Sequence, residues 1–246
     1  MIVRDIMTTK LITVGPDDTL SHAATLLRQH QIHQLPVTQT VKVGTPQHKE
    51  YQTHETVFLF EGLLTSQDID LVVAISRQDA SSDVLRQPWQ ERRVAVVMHR
   101  AIIRVTPTTS VAAAAQILVE RGLNCLPVVG YHKVDQETKT LLIGLLTRSD
   151  LLIALARSMG AFEPGMQLEI ALPLGNMTSL AEALRIATEV HVQIRSIIAT
   201  PLTDGVPFVA TIRIGTINPS PLLVRLQEEG IQYSLSDSFT DGETHV

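Results

Sequence analysis

Two short stretches offer the clearest chemistry in this sequence. Thr65-x-x-Asp68 and Thr147-x-x-Asp150 each follow an apolar Gly-Leu-Leu and precede a helical pattern. At a helix start, the threonine hydroxyl accepts an amide hydrogen and the acid three residues on reaches back, which is a capping box. The same spacing suits a ligand. The first helical turn presents unpaired N–H groups and partial positive charge, which favour phosphate. The hydroxyl adds a hydrogen bond, and a carboxylate one turn on accepts from both hydroxyls of a ribose. The two readings use the same atoms and stand side by side at this level.

Residue spacing excludes other devices. No two glycines stand two apart, so a G-x-G-x-x-G turn cannot be written, and the closest pair, Gly160 and Gly165, is followed by Met166-Gln167 and not by the Lys-Ser/Thr of a G-x-x-x-x-G-K-S/T loop. There is no G-x-S-x-G elbow and no H-E-x-x-H. Nine histidines are present, but His30 and His33 have no cysteine or acid at ligand spacing, and no metal site is expected. Cys125 is the single cysteine; it can make no internal disulfide, and beside Leu126-Pro127 it reads as a buried structural residue. Twenty Lys plus Arg against 25 Asp plus Glu give a net charge of −5, which argues against a nucleic-acid footprint. With no signal-peptide pattern and no apolar run of about 18 residues, the expectation is a soluble cytoplasmic protein without a membrane span.

These motifs sit inside a repeat. Residues 2–38 align with 93–129 at a constant offset of 91, pairing Met7 with Met98, Val14 with Val105, Pro16 with Pro107 and Leu35-Pro36-Val37 with Leu126-Pro127-Val128. The offset then falls to 82, where Gly62-Leu63-Leu64-Thr65 and Asp68 meet Gly144-Leu145-Leu146-Thr147 and Asp150, so the first copy carries nine more residues. Each copy reads as a short strand (Leu11–Val14; Ile102–Val105), a helix capped by Thr19 or Ser110, two strands, and a closing helix (Gln67–Ser76; Ser149–Met159). That is a β-α-β-β-α unit of an α/β fold, too small to hide its apolar face alone, so the copies should pack together. The polar insertion 39–57 reads as a solvated hairpin or loop, and 77–92, with the only tryptophan, Trp89, as a partly helical linker.

From residue 166 the rhythm changes. Leu168–Leu172 reads as a strand, Gly175-Asn176 as a turn, and Leu180–Val190 as a helix capped by Thr178 or Ser179. Strands follow over Ile194–Thr200 and Val206–Ile214 about an Asp204-Gly205 turn, then a helix over Pro219–Glu229 ended by Gly230, and a strand over Ile231–Leu235. The order β-α-β-β-α-β is the ferredoxin-like split unit. Residues 237–246 read as a flexible tail.

The Leu-Pro-Val strand paired with a downstream Gly-Leu-Leu-Thr-x-x-Asp, occurring twice, resembles the tandem CBS domain, or Bateman module. The tail resembles an ACT domain, and the order CBS–CBS–ACT resembles the bacterial acetoin-utilisation family. The resemblance implies CBS domains at 1–76 and 93–160 and an ACT-like domain at 166–236. It implies adenine nucleotides (AMP, ADP or ATP) as regulatory ligands in clefts between the copies, with no catalytic cofactor. Thr65, Asp68, Thr147 and Asp150 would hold ribose and phosphate. Met7, Ile12, Ile32 and His33, and in the other copy Met98, Ile103, Leu123 and Asn124, would line the base. Asp150 would work with Ile12 and Ile32, and Asp68 with Ile103 and Leu123. Lys10, Arg100 and Arg148 are the cations placed for phosphate. Gly175 and Asn176 occupy the turn where ACT domains take amino acids, although the usual motif is imperfect. The resemblance implies a regulatory homodimer, not an enzyme, paired through its CBS domains with the ACT domain as a second pairing surface, and a regulated enzyme as its partner. The rival readings are an assembly scaffold with empty clefts and a sensor of another adenosyl ligand such as S-adenosylmethionine.

Overall fold

The structure is a computed structural model and describes residues 1–44, 54–78, 88–100, 102–134, 137–201, 207–216 and 218–236. The chain divides into two compact units, Met1–Leu151 and Leu152–Val246.

The first unit is a pair of β-hairpins with helices. In chain order it holds α1 (Leu20–Gln29), β1 (Gln34–Gly44), β2 (His54–Thr65), α2 (Ser66–Gln78), the single turn α3 (Val94–Val97), α4 (Val111–Glu120), β3 (Cys125–Val134), β4 (Glu137–Thr147) and α5 (Arg148–Ser158), which runs on past the unit's end. The expected caps are present: Thr19 Oγ1 accepts from His22 N–H at 3.2 Å and Ser110 Oγ from Ala113 N–H at 3.2 Å. One antiparallel sheet has the order β1-β2-β4-β3, its two hairpins meeting at Leu59 and Leu141. The insertion does not form a separate element where it is described. Residues 39–44 and 54–57 continue the β1–β2 ladder, with Gln39 opposite Leu59 and Gly44 opposite His54; residues 45–53 lie outside the described residues.

The first strand expected in each copy shrinks to one bridge, Val14 with Val37 and Val105 with Val128, both parallel. The partner strand supplies the reason. Val14 donates to the Pro36 carbonyl (3.1 Å) and accepts from Thr38 N–H (2.9 Å), and Val105 does the same with Pro127 and Val129. The next rung would need a proline N–H, which does not exist. The proline that marks the repeat therefore also stops its edge strand.

The segments that open each repeat exchange places. Val3 is fully buried and Met7 packs with the core of the second copy, around Val105, Leu118, Leu126 and Leu146. Val94 and Met98 join the core of the first copy, around Val14, Leu20, Leu35 and Leu64, and Trp89 packs on the same cluster. Residues 79–87 of the expected linker lie outside the described residues. Backbone bonds fix the exchange: Thr8 and Leu145 bond reciprocally at 2.9 Å, and His99 and Leu63 do likewise. Between the halves, Leu63, Cys125 and Leu145 form a small core with Leu11 and Ile102 against it. Burial pushes the Cys125 thiol up to about 11, so it stays protonated at neutral pH.

The second unit holds β5 (Met166–Ala171), α6 (Thr178–Glu189), β6 (Ile194–Pro201), β7 (Pro207–Ile214), α7 (Ser220–Glu228) and β8 (Tyr233–Ser236). Its sheet order, β6-β7-β5-β8, with antiparallel neighbours throughout, is the ferredoxin-like arrangement. Alternation sends Leu168, Ile170, Ala210, Ile212 and Ile214 onto Ala183, Ile186, Leu222 and Leu226 of the helices. On the opposite face Arg213 is buried; its guanidinium donates to the Glu163 carbonyl at 2.8 Å, while Arg195 pairs with the Glu163 carboxylate at 2.9 Å. Neither Thr178 nor Ser179 caps α6. Asn176 does, its Oδ1 accepting from Thr178 N–H at 2.9 Å and from Thr178 Oγ1 at 2.6 Å. The Asp204-Gly205 turn and residues 237–246 lie outside the described residues.

Candidate functional site

The two Thr-x-x-Asp motifs fold identically. Thr147 N–H and Oγ1 both donate to Asp150 Oδ2 at 2.8 Å, and Asp150 N–H returns a bond to Thr147 Oγ1 at 3.1 Å. In the first copy the same three bonds, Thr65 to Asp68 and back, measure 2.8, 2.7 and 3.2 Å. The capping box is therefore made in full, and it occupies one oxygen of each carboxylate. Whatever else these acids hold must come to Oδ1.

Burial of Asp68 raises its pKa, but the hydrogen bonds from Thr65 and His99 outweigh that and hold the carboxyl below its ordinary range.

A cleft of about 610 Å³ opens beside the second motif. One wall is the segment after the first exchanged stretch, with Thr8, Lys10, Leu11 and Ile12. A second is the turn between α1 and β1, with Ile32, His33, Gln34 and Pro36. The floor is the start of α5, Thr147, Arg148 and Ser149, joined by Thr65, Ser66, Gln67, Asn124 and Leu145. Asp150 stands just behind this wall, its Oδ1 meeting Thr8 Oγ1 at a long 3.4 Å. Arg148 N–H bonds the Asn124 carbonyl at 3.2 Å and Asp150 N–H bonds Thr147, which leaves the Ser149 amide as the first-turn donor without an acceptor among the described residues.

Among the residues read from the sequence, Lys10, Ile12, Ile32, His33, Thr65, Asn124, Thr147 and Arg148 come together here, and the first copy's apolar wall meets the second copy's helix start. Others stand elsewhere. Met7 and Met98 are packing residues; their sulfurs lie under Gly144 and Gly62, and Met98 is buried. Ile103 and Leu123, expected with Asp68, do not line this cleft, and Leu123 packs on the second core. Arg100 is drawn to Glu61 at 3.8 Å and to the Ala95 carbonyl at 3.4 Å, off the wall. Arg148 lines the cleft, but its Nε donates to the Leu123 carbonyl at 2.7 Å and its Nη2 to Leu118 at 3.5 Å, so it serves the carbonyl end of α4. Lys10 pairs with no acid among the described residues. Gly175, with φ of 74°, ends a single 3-10 turn, and Asn176 is spent on its cap. Sequence reasoning missed Thr8, Gln34, Ser66, Gln67 and Ser149. The repeat held the signal for two of them, since Thr8 aligns with His99 and Gln34 with Cys125. Among the described residues no three His, Cys, Asp or Glu are grouped to hold a metal ion, and no helix is long and apolar enough to cross a membrane.

Comparison with known proteins agrees with the repeat. The CBS domain model matches residues 3–42 and 94–157. The CBS domain-containing protein YhcV of Bacillus subtilis is 27% identical over 151 residues, which is 61% of this chain and 83% of that protein. A Vibrio cholerae protein named for acetoin utilization (AcuB) has a crystal structure that superposes with a TM-score of 0.46 at 22% identity, covering 67% of this chain and 98% of that one. The CBS domain pair of protein MJ0100, crystallised in complex with 5′-methylthioadenosine and S-adenosyl-L-methionine, gives a TM-score of 0.44 at 20% identity, covering 63% and 96%. The first part of the chain thus carries a CBS domain pair, and the matched residues stop at 157.

Proposed function

We propose that this is a regulatory protein that binds an adenosyl ligand, AMP being the simplest, in the cleft beside Asp150. The observation that carries the reading is the composition of that cleft. An apolar side (Leu11, Ile12, Ile32, Pro36) faces a helix start whose Thr147 hydroxyl, Ser149 amide and neighbouring Asp150 are polar, with Lys10 at the edge. A flat base suits the first, a ribose and phosphate the second. The volume, about 610 Å³, falls in the range of small-ligand sites. In this reading the site holds its ligand for regulation and carries out no reaction on it. Binding would act by linkage: a ligand touching both copies favours the arrangement in which they close on it, and the ferredoxin-like second unit, read as an ACT-like domain, would carry that preference onward.

Calorimetric titration of the full chain with AMP, ADP, ATP and S-adenosylmethionine tests the reading. Saturable binding of at least one at micromolar concentration is expected; no heat from any of the four overturns it. The proposal includes a homodimer. Leu71 and Ile75 of α2 are 61% and 46% exposed, which leaves an apolar face available for a second copy. Light scattering should give a dimer mass, and Leu71→Lys should lower it; a monomer with and without nucleotide removes this part.

A further inference from the structure

The two halves of the CBS pair repeat in backbone but not in what meets the second carboxylate oxygen. Thr8 and His99 are equivalent positions, each bonded reciprocally through its backbone to Leu145 or Leu63 at 2.9 Å. Their side chains differ. Thr8 Oγ1 stands 3.4 Å from Asp150 Oδ1, at the edge of hydrogen-bonding range, whereas His99 Nε2 lies 2.8 Å from Asp68 Oδ1. Asp68 Oδ2 already accepts from Thr65 N–H and Oγ1. Both oxygens of Asp68 therefore have close donors from the chain itself, and the imidazole N–H stands where a ribose hydroxyl would have to donate. A second difference points the same way: Gln34, on the wall of the open cleft, is matched in the other half by Cys125, which is buried in the apolar core.

We infer that His99 closes the Asp68 half from within, so that the chain takes one equivalent of adenosyl ligand, at the Asp150 cleft, and keeps the other half as a latched site. The inference rests on the proposed function for its ligand. It assigns the asymmetry to one side chain, and that side chain is replaceable. The imidazole is 62% exposed, and its backbone pairing with Leu63 does not depend on it.

The test is calorimetry with AMP and, separately, S-adenosylmethionine on the full chain as wild type, His99→Thr and His99→Ala, with circular dichroism to show that each is folded. The alanine variant keeps the question open to test if threonine perturbs the fold. The expected stoichiometry is one ligand per chain for wild type and two for either variant, the second equivalent vanishing when Asp68→Ala is added. Two equivalents in wild type, or one in both His99 variants, overturn the latch and leave the functional reading standing. No binding by wild type with one equivalent in the variants supports the latch and removes the Asp150 assignment. No binding by any of them overturns both.

Discussion

Asp150→Ala is expected to weaken the adenosyl ligand by about a hundredfold or more, while Asp68→Ala leaves the affinity of the wild-type site unchanged. A hydrogen bond to a charged group contributes about 1.5–3 kcal/mol, and roughly 3 kcal/mol is more than two decades in dissociation constant. Asp150 Oδ1 is the oxygen free to supply such a bond, because its only described partner, Thr8 Oγ1, is 3.4 Å away. Both substitutions also remove half of a capping box, so each should cost about 1 kcal/mol in stability. That shared loss is what separates the roles: equal destabilisation with unequal effects on binding assigns the ligand to Asp150. Asp150→Asn sharpens the point, since the amide keeps an acceptor and loses the charge, and it should fall between wild type and alanine. Calorimetry with AMP and thermal melts on the three variants read both quantities. Unchanged affinity in Asp150→Ala would reduce the motif to its capping role.

Much of this arrangement was legible in the sequence because the repeat is a strong signal. The offset of 91 joined residues far apart in the chain; Ile12 and Ile32, which the CBS resemblance pairs with Asp150, lie in one cleft with Thr147 of the same motif, while Asp150 itself is not part of the lining. Local pattern failed where a distant group decided the outcome. Arg148 reads as a phosphate cation from its place beside a helix start, yet the carbonyls of Leu118 and Leu123, which take its guanidinium, are visible only in three dimensions. Met7 and Met98 look like base-lining residues until the exchanged segments are seen to carry them beneath the glycines of the opposite copy. The lost edge strand is the reverse case. Its cause, the missing proline N–H at Pro36 and Pro127, was written in the sequence, but a strand pattern read alone does not show which partner amide each rung requires. His99 carried no motif at all; only its alignment with Thr8 marks it.

Gly62→Ala should destabilise the first unit by about 3 kcal/mol, more than Gly144→Ala at the equivalent position. The exchanged segments cross these strands closely enough to leave no room for a side chain. A Cβ at Gly62 would lie 2.5 Å from the His99 carbonyl oxygen, a backbone atom held by the reciprocal bonds to Leu63. At Gly144 the nearest atom would be Met7 Sδ at 2.8 Å, with the Thr8 carbonyl at 3.0 Å. A methionine side chain can swing aside; the His99 carbonyl, which accepts from Leu63 N–H at 2.9 Å while His99 N–H bonds back to Leu63 at 2.9 Å, moves only with its segment. The substitution therefore tests the crossing itself, since a chain whose segments stayed with their own copies would tolerate the methyl group. For a unit of this size 3 kcal/mol corresponds to roughly 6–12 °C in melting temperature. Equal, small shifts for the two alanine variants would mean that the segments do not cross at these glycines. A large loss at Gly62 with a smaller one at Gly144 would locate the tighter contact beneath His99, on the same strand-to-segment bridge that brings its imidazole to Asp68.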